Sequence, residues 1–124
     1  MSLMKSQSVT VYDATSNKYL YQKLSSNRMN PASITKLTVY TFLQKISNVN
    51  AKATLLASEV SQPKSTGAVV TGMSPTESIT YNDLLHGALL VSGADAVLAL
   101  TRQTYGSTEA LAAAMNANAK KFGM

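Results

Sequence analysis

The hydrophobic pattern of this chain changes period at one place, the dipeptide Asn30-Pro31. Before it, residues 8–14 (SVTVYDA) and 18–24 (KYLYQKL) alternate, with Val9 and Val11 in the first run and Tyr19 and Tyr21 in the second. Alternation of this kind describes half-buried strands. The turn formers at 13–18 (DATSNK) join the two runs, so 8–24 reads as a β-hairpin. Pro31 restricts Asn30 to extended backbone and suits a first helical turn, which puts a helix start close to Ser33. Val39, Phe42, Leu43 and Ile46 follow at helical spacing, with Leu37 close to the same face, and predict a core-facing helix to about Ile46.

Residues 51–67 read as a short helix followed by an extended piece near Val60, closed by Pro63. Lys64-Ser65-Thr66-Gly67 reads as loop, and Val69, Val70, Thr71 and Gly72 as loop and short strand. Thr80, with Asp83 three residues on, is a capping arrangement that opens a helix whose buried side holds Leu84, Leu85, Ala88, Leu89 and Val91. Gly93 ends it, residues 94–103 (ADAVLALTRQ) begin another, and Ser107 caps an alanine-rich last helix with Gly123 past its end. The expected class is α/β (α+β): one domain over 1–124, a hairpin at 8–24, then a mainly helical part over 30–124.

Composition excludes several functions. Apolar residues make up 45% and charged residues 14%, a globular balance. The net charge of +5 is scattered with no basic run among aromatics, so no nucleic-acid partner is expected. A mildly cationic surface suits an anionic cell envelope, or simply solubility. Cysteine is absent, which rules out thiol chemistry and disulfides. His86 is the only histidine and reads as structural, so neither a metal nor any other cofactor is expected. No apolar run approaches the roughly 20 residues that span a bilayer.

Two stretches could carry chemistry. Ser33 and Lys36 stand at i and i+3 and share a helix face. A serine hydroxyl is a weak nucleophile until a base takes its proton, and a lysine amine can do so where burial favours its neutral form. The same spacing is also common on solvated helix surfaces. Ser92 lies at the break between two apolar helices, where a hydroxyl is either a helix cap or a group aimed into a cleft.

Together, Asn30-Pro31-Ala32-Ser33-Ile34-Thr35-Lys36-Leu37 and Leu89-Leu90-Val91-Ser92-Gly93-Ala94-Asp95-Ala96 resemble the serine-type D-alanyl-D-alanine carboxypeptidases. These are low-molecular-mass penicillin-binding proteins of the β-lactamase/transpeptidase-like fold. The resemblance also takes in Tyr12-Asp13-Ala14, Thr71-Gly72-Met73-Ser74-Pro75-Thr76-Glu77 and the run from Asn118 to Met124. It implies Ser33 as the nucleophile acylated by a D-Ala-D-Ala stem peptide of peptidoglycan. Lys36 would be its proton acceptor, Ser92 a proton relay toward the leaving group, and the Ser33 N–H one oxyanion donor. It further implies β-lactams as covalent inhibitors and a location outside the cytoplasmic membrane, the signal peptide being absent from these residues.

Two departures qualify the expectation. The family's Ser-x-Asn box reads Ser92-Gly93-Ala94, so an alanine stands where an amide would hold substrate and lysine. Asp95 next to it carries oxygen acceptors but faces another direction on a helix. The family's Lys-Thr/Ser-Gly box is not found after Ser92, and Lys64-Ser65-Thr66-Gly67 has one residue too many and precedes it. The chain thus reads as the N-terminal part of a carboxypeptidase domain, lacking the C-terminal sheet strands. A catalytically incompetent module that binds peptidoglycan or a partner protein is the alternative. A two-stranded hairpin is marginal alone, so a homodimer paired through its open edge is also an expectation.

Overall fold

The computed structural model describes residues 5–123. They form two compact units that divide between Ala32 and Ser33.

The first unit is the expected hairpin. Strand β1 (Val9–Asp13) pairs antiparallel with β2 (Lys18–Lys23), Val9 opposite Lys23 and Val11 opposite Tyr21. The register shifts between Val11 and Tyr12, so that Tyr12 faces Tyr19 and their rings pack 5.1 Å apart. In the turn the Asp13 carboxylate accepts the Thr15 N–H at 2.9 Å and the Ser16 hydroxyl. The Ser16 bond, and then the Thr15 bond, hold that carboxyl below the usual range.

The second unit is built mainly of helices. A 3₁₀ helix (Ala32–Val39) runs into a single α-turn, α1 (Tyr40–Leu43). It is followed by β3 (Lys52–Ala53), α2 (Ala57–Ser65), β4 (Ile79–Thr80), α3 (Tyr81–Leu90), α4 (Ala94–Thr104) and α5 (Thr108–Lys121). Phe42, Leu55, Ile79, Leu84, Leu85, Leu100 and Leu111 fill the core, and Ala88, Ala96 and Ala99 leave room for α3 and α4 to pack closely. Each fully buried leucine, such as Leu84 or Leu100, contributes about 1.5–3 kcal/mol. Tyr105 reaches into this body to donate its hydroxyl to the Thr41 carbonyl at 2.8 Å, and burial pushes its phenol pKa up.

Two caps are as expected. The Thr80 hydroxyl accepts the Asp83 N–H at 3.2 Å while the Asp83 carboxylate accepts the Thr80 N–H at 2.8 Å. The Ser107 hydroxyl accepts the Ala110 N–H at 3.1 Å.

Four local expectations are corrected. The helix expected over 33–46 is mostly 3₁₀, since β-branched Ile34, Thr35 and Val39 disfavour regular α-helix. Winding at three residues per turn carries Leu37 away from the buried side, and Leu43 is also exposed, while Val39 and Phe42 remain buried. Residues 57–65 are a helix running through Pro63, without an extended piece at Val60. Its first turn is anchored by buried Glu59, which accepts the Leu56 N–H at 2.8 Å and Arg102 Nε at 2.7 Å, and that anchor outweighs the proline. Residues 69–72 form no strand, because their polar groups bond to the start of α4. Leu89 and Val91 are exposed, Leu89 in the last turn of α3 and Val91 past it. The two-residue pairing of β3 with β4, Ala53 opposite Ile79, was not anticipated.

Candidate active site

The 3₁₀ winding determines how Ser33 and Lys36 stand. At three residues per turn, side chains at i and i+3 eclipse, so the two lie one above the other on the same side. An eight-residue 3₁₀ run is long for this helix type, which usually stops after three or four residues. Val39 and Phe42, both buried, seat its C-terminal end in the core. Ser33 is exposed to solvent and Lys36 is half-buried.

Ser92 comes from the connection between α3 and α4, in left-handed backbone with φ of 63°. It is not a helix cap. Gly93 takes the cap position of α4 without a side-chain bond, and its N–H donates back to the Gly87 carbonyl at 3.0 Å. The Ser92 hydroxyl is thereby free to point at the 3₁₀ helix. Lys36 Nζ donates to Ser92 Oγ at 2.9 Å, and Ser92 Oγ donates to Ser33 Oγ at 3.1 Å. The structure thus brings together all three residues singled out from the sequence. The lysine meets Ser33 through the second serine. Both hydroxyls rotate freely about their C–O bonds, so the same chain can carry a proton in either direction.

Ala94, at the first residue of α4, lines with Lys36 the wall of a cavity of about 360 Å³. Val39, Phe42, Pro63 and Met115 also line it, so that wall is apolar. Asp95 does not face Lys36. It is fully buried, its carboxyl group accepting the Thr71 N–H at 3.0 Å, the Thr71 hydroxyl at 2.6 Å and the Ala96 N–H at 2.9 Å. His86 is exposed on α3 with Nδ1 2.8 Å from the Asn82 carbonyl. Lys64 and Ser65 belong to the last turn of α2, and Thr66 donates its hydroxyl to the Pro63 carbonyl at 2.8 Å. Among the described residues no three His, Cys, Asp or Glu side chains converge on one point.

Sequence reasoning missed the Thr71–Asp95 contact. The signal was there: an acid within the otherwise apolar run of 94–100 must find donors if that helix is buried.

The chain belongs to the D-alanyl-D-alanine carboxypeptidase family, whose model matches residues 2–124. It is 28% identical to the D-alanyl-D-alanine carboxypeptidase DacF of Bacillus subtilis and 30% identical to DacC of Escherichia coli. Those matches cover 97% and 90% of this chain but 31% and 30% of the relatives, so the chain spans about a third of their length. Among solved structures it resembles the Streptomyces K15 DD-transpeptidase, in its S216A mutant, with a TM-score of 0.86 and 25% identity. That likeness covers 95% of this chain and 48% of the other. The fold is also that of DacD from Francisella tularensis, with a TM-score of 0.83 at 24% identity, over 98% of this chain and 30% of that one.

Proposed function

We propose that these residues are the nucleophile-bearing part of a serine D-alanyl-D-alanine carboxypeptidase that acts on peptidoglycan stem peptides outside the cytoplasmic membrane. On this reading residues 1–124 are the N-terminal part of one transpeptidase-like domain. The observation that carries the reading is the hydrogen-bonded series Lys36 Nζ, Ser92 Oγ, Ser33 Oγ.

The chemistry follows from that series. With the Lys36 amine neutral, Ser33 donates to Ser92 and Ser92 to Nζ, so the Ser33 proton leaves as its oxygen attacks the carbonyl carbon of the terminal D-Ala-D-Ala amide. The oxyanion that forms is met by the Ser33 N–H, in the first turn of the 3₁₀ helix, where N–H groups have no helical partner. When the C–N bond breaks, the proton held by the lysine returns through Ser92 to the departing D-alanine amine. An ester of Ser33 remains, and water attacks it by the same proton route to release the shortened peptide. A β-lactam meets the same nucleophile, and its ring amide opens to leave the acyl group on Ser33.

A binding module without catalysis is the second reading, supported by Ala94, whose side chain offers no hydrogen bond to the cavity it lines with Lys36. Release of D-alanine from a diacyl-lysyl-D-alanyl-D-alanine peptide separates the two. Release by the parent and none by Ser33→Ala supports the enzyme. Saturable binding of that peptide with no release supports the module.

A further inference from the structure

Ser92 is held in a backbone conformation that L-residues adopt at a cost, and such a residue persists only where its surroundings over-determine it. The surroundings come from the segment around Thr71, which has no regular secondary structure of its own. On the α4 side of Ser92, the Ala94 N–H donates to the Val69 carbonyl at 2.8 Å. One residue further, Asp95 takes both the N–H and the hydroxyl of Thr71. The Thr71 hydroxyl in turn accepts the Met73 N–H at 3.2 Å. The Thr71 methyl fills the space that two glycines leave. A Cβ on Gly87 would sit 2.7 Å from Thr71 Cγ2, and one on Gly93 would overlap that methyl and lie 2.7 Å from Asp95 Oδ1. Gly87 belongs to α3 and Gly93 opens α4, so one threonine is wedged between both helices on either side of the turn.

We infer that Thr71 and Asp95 are positioning residues that hold the Ser92 hydroxyl between Lys36 and Ser33. The inference rests on the functional reading given above for its catalytic consequence. Its geometric content stands independently of that reading. Without the Thr71 hydroxyl the buried Asp95 carboxyl loses its shortest bond, the 69–71 segment loosens, and the Ser92 turn relaxes away from Lys36.

The test reads the Lys36–Ser92 contact directly. In protein carrying ¹³C-lysine, the Lys36 Cε signal is assigned with Lys36→Arg, and its position without the contact is given by Ser92→Ala. Thr71→Val keeps a methyl against the glycines and removes the hydroxyl; its Lys36 signal is expected to move to the Ser92→Ala position. Thr71→Ser, which restores the hydroxyl, is expected to return it to the parent position. A folded Thr71→Val protein with the parent signal overturns the inference. Should Thr71→Val fail to fold, Asp95→Asn carries the same comparison, with the same two outcomes. Penicillin acylation is expected to fall about tenfold to a hundredfold in Thr71→Val. A parent that is not acylated at all would count against the functional reading, and the lysine signal would still decide the role of the clamp.

Discussion

The Ser92 hydroxyl lies 3.1 Å from the Ser33 hydroxyl although 59 residues of chain separate them. The contact joins a 3₁₀ helix to the turn between two α-helices, and it makes the second serine the only link that the Lys36 amine needs to reach the first.

That link separates activity from stability at one position. Ser92→Ala removes the hydroxyl and leaves a Cβ on backbone with φ of 63°. Ser92→Gly removes both. Left-handed backbone costs an L-residue about 1–2 kcal/mol, and glycine gives back about 0.5–1 kcal/mol of that in entropy. In urea denaturation the glycine variant is expected to be more stable than the alanine variant by about 1 kcal/mol. Both are expected to lose on the order of 10²–10⁴ in acylation rate. Acylation of Ser92→Ala at the parent rate would remove Ser92 from the mechanism.

Ala94 predicts a gain. It lines the same largely apolar cavity as Lys36. Ala94→Asn places an amide there, and one hydrogen bond to a charged or reacting group corresponds to roughly 1–3 kcal/mol. Stopped-flow acylation by a chromogenic β-lactam is expected to quicken about tenfold or more in this variant. An unchanged rate would show that the site gains nothing from an amide at this position.

The α3 cap predicts a pH dependence. The Thr80 hydroxyl, and then the Thr80 N–H, hold the Asp83 carboxyl below the usual aspartate range. A carboxyl depressed on folding adds stability that is fully present above the unfolded value of about 3.9 and disappears as pH falls through the lower folded value. The melting temperature of the parent is therefore expected to exceed that of Asp83→Ala at pH 6, with the gap closing steadily below about pH 4. A gap that stayed constant down to pH 2 would contradict the assignment of the shift to this cap.

Much of this was legible in the residues because it depends on local rules. The hairpin, the Thr80 and Ser107 caps and the helix break at Gly93 follow from turn chemistry and periodicity alone. Ser33, Lys36 and Ser92 could be singled out by spacing and resemblance, while their meeting is a tertiary contact across 59 residues of chain. What escaped was decided by tertiary contacts. Pro63 argued against a helix that Glu59 and Arg102 nevertheless hold in place. The 3.6-residue period misplaced Leu37 because the Ser33 helix winds at three residues per turn. The Val69–Gly72 run looked like a strand, yet its bonding partners lie on α4, 24 residues along the chain from Thr71 at Asp95.

The central claim is that Ser33 is an activated nucleophile, and intact mass after incubation with benzylpenicillin tests it most directly. The account predicts one covalent adduct per chain, mapped to Ser33 by peptide analysis and lost in Ser33→Ala. No adduct in protein shown by circular dichroism to be folded, or an equal adduct in Ser33→Ala, would contradict it.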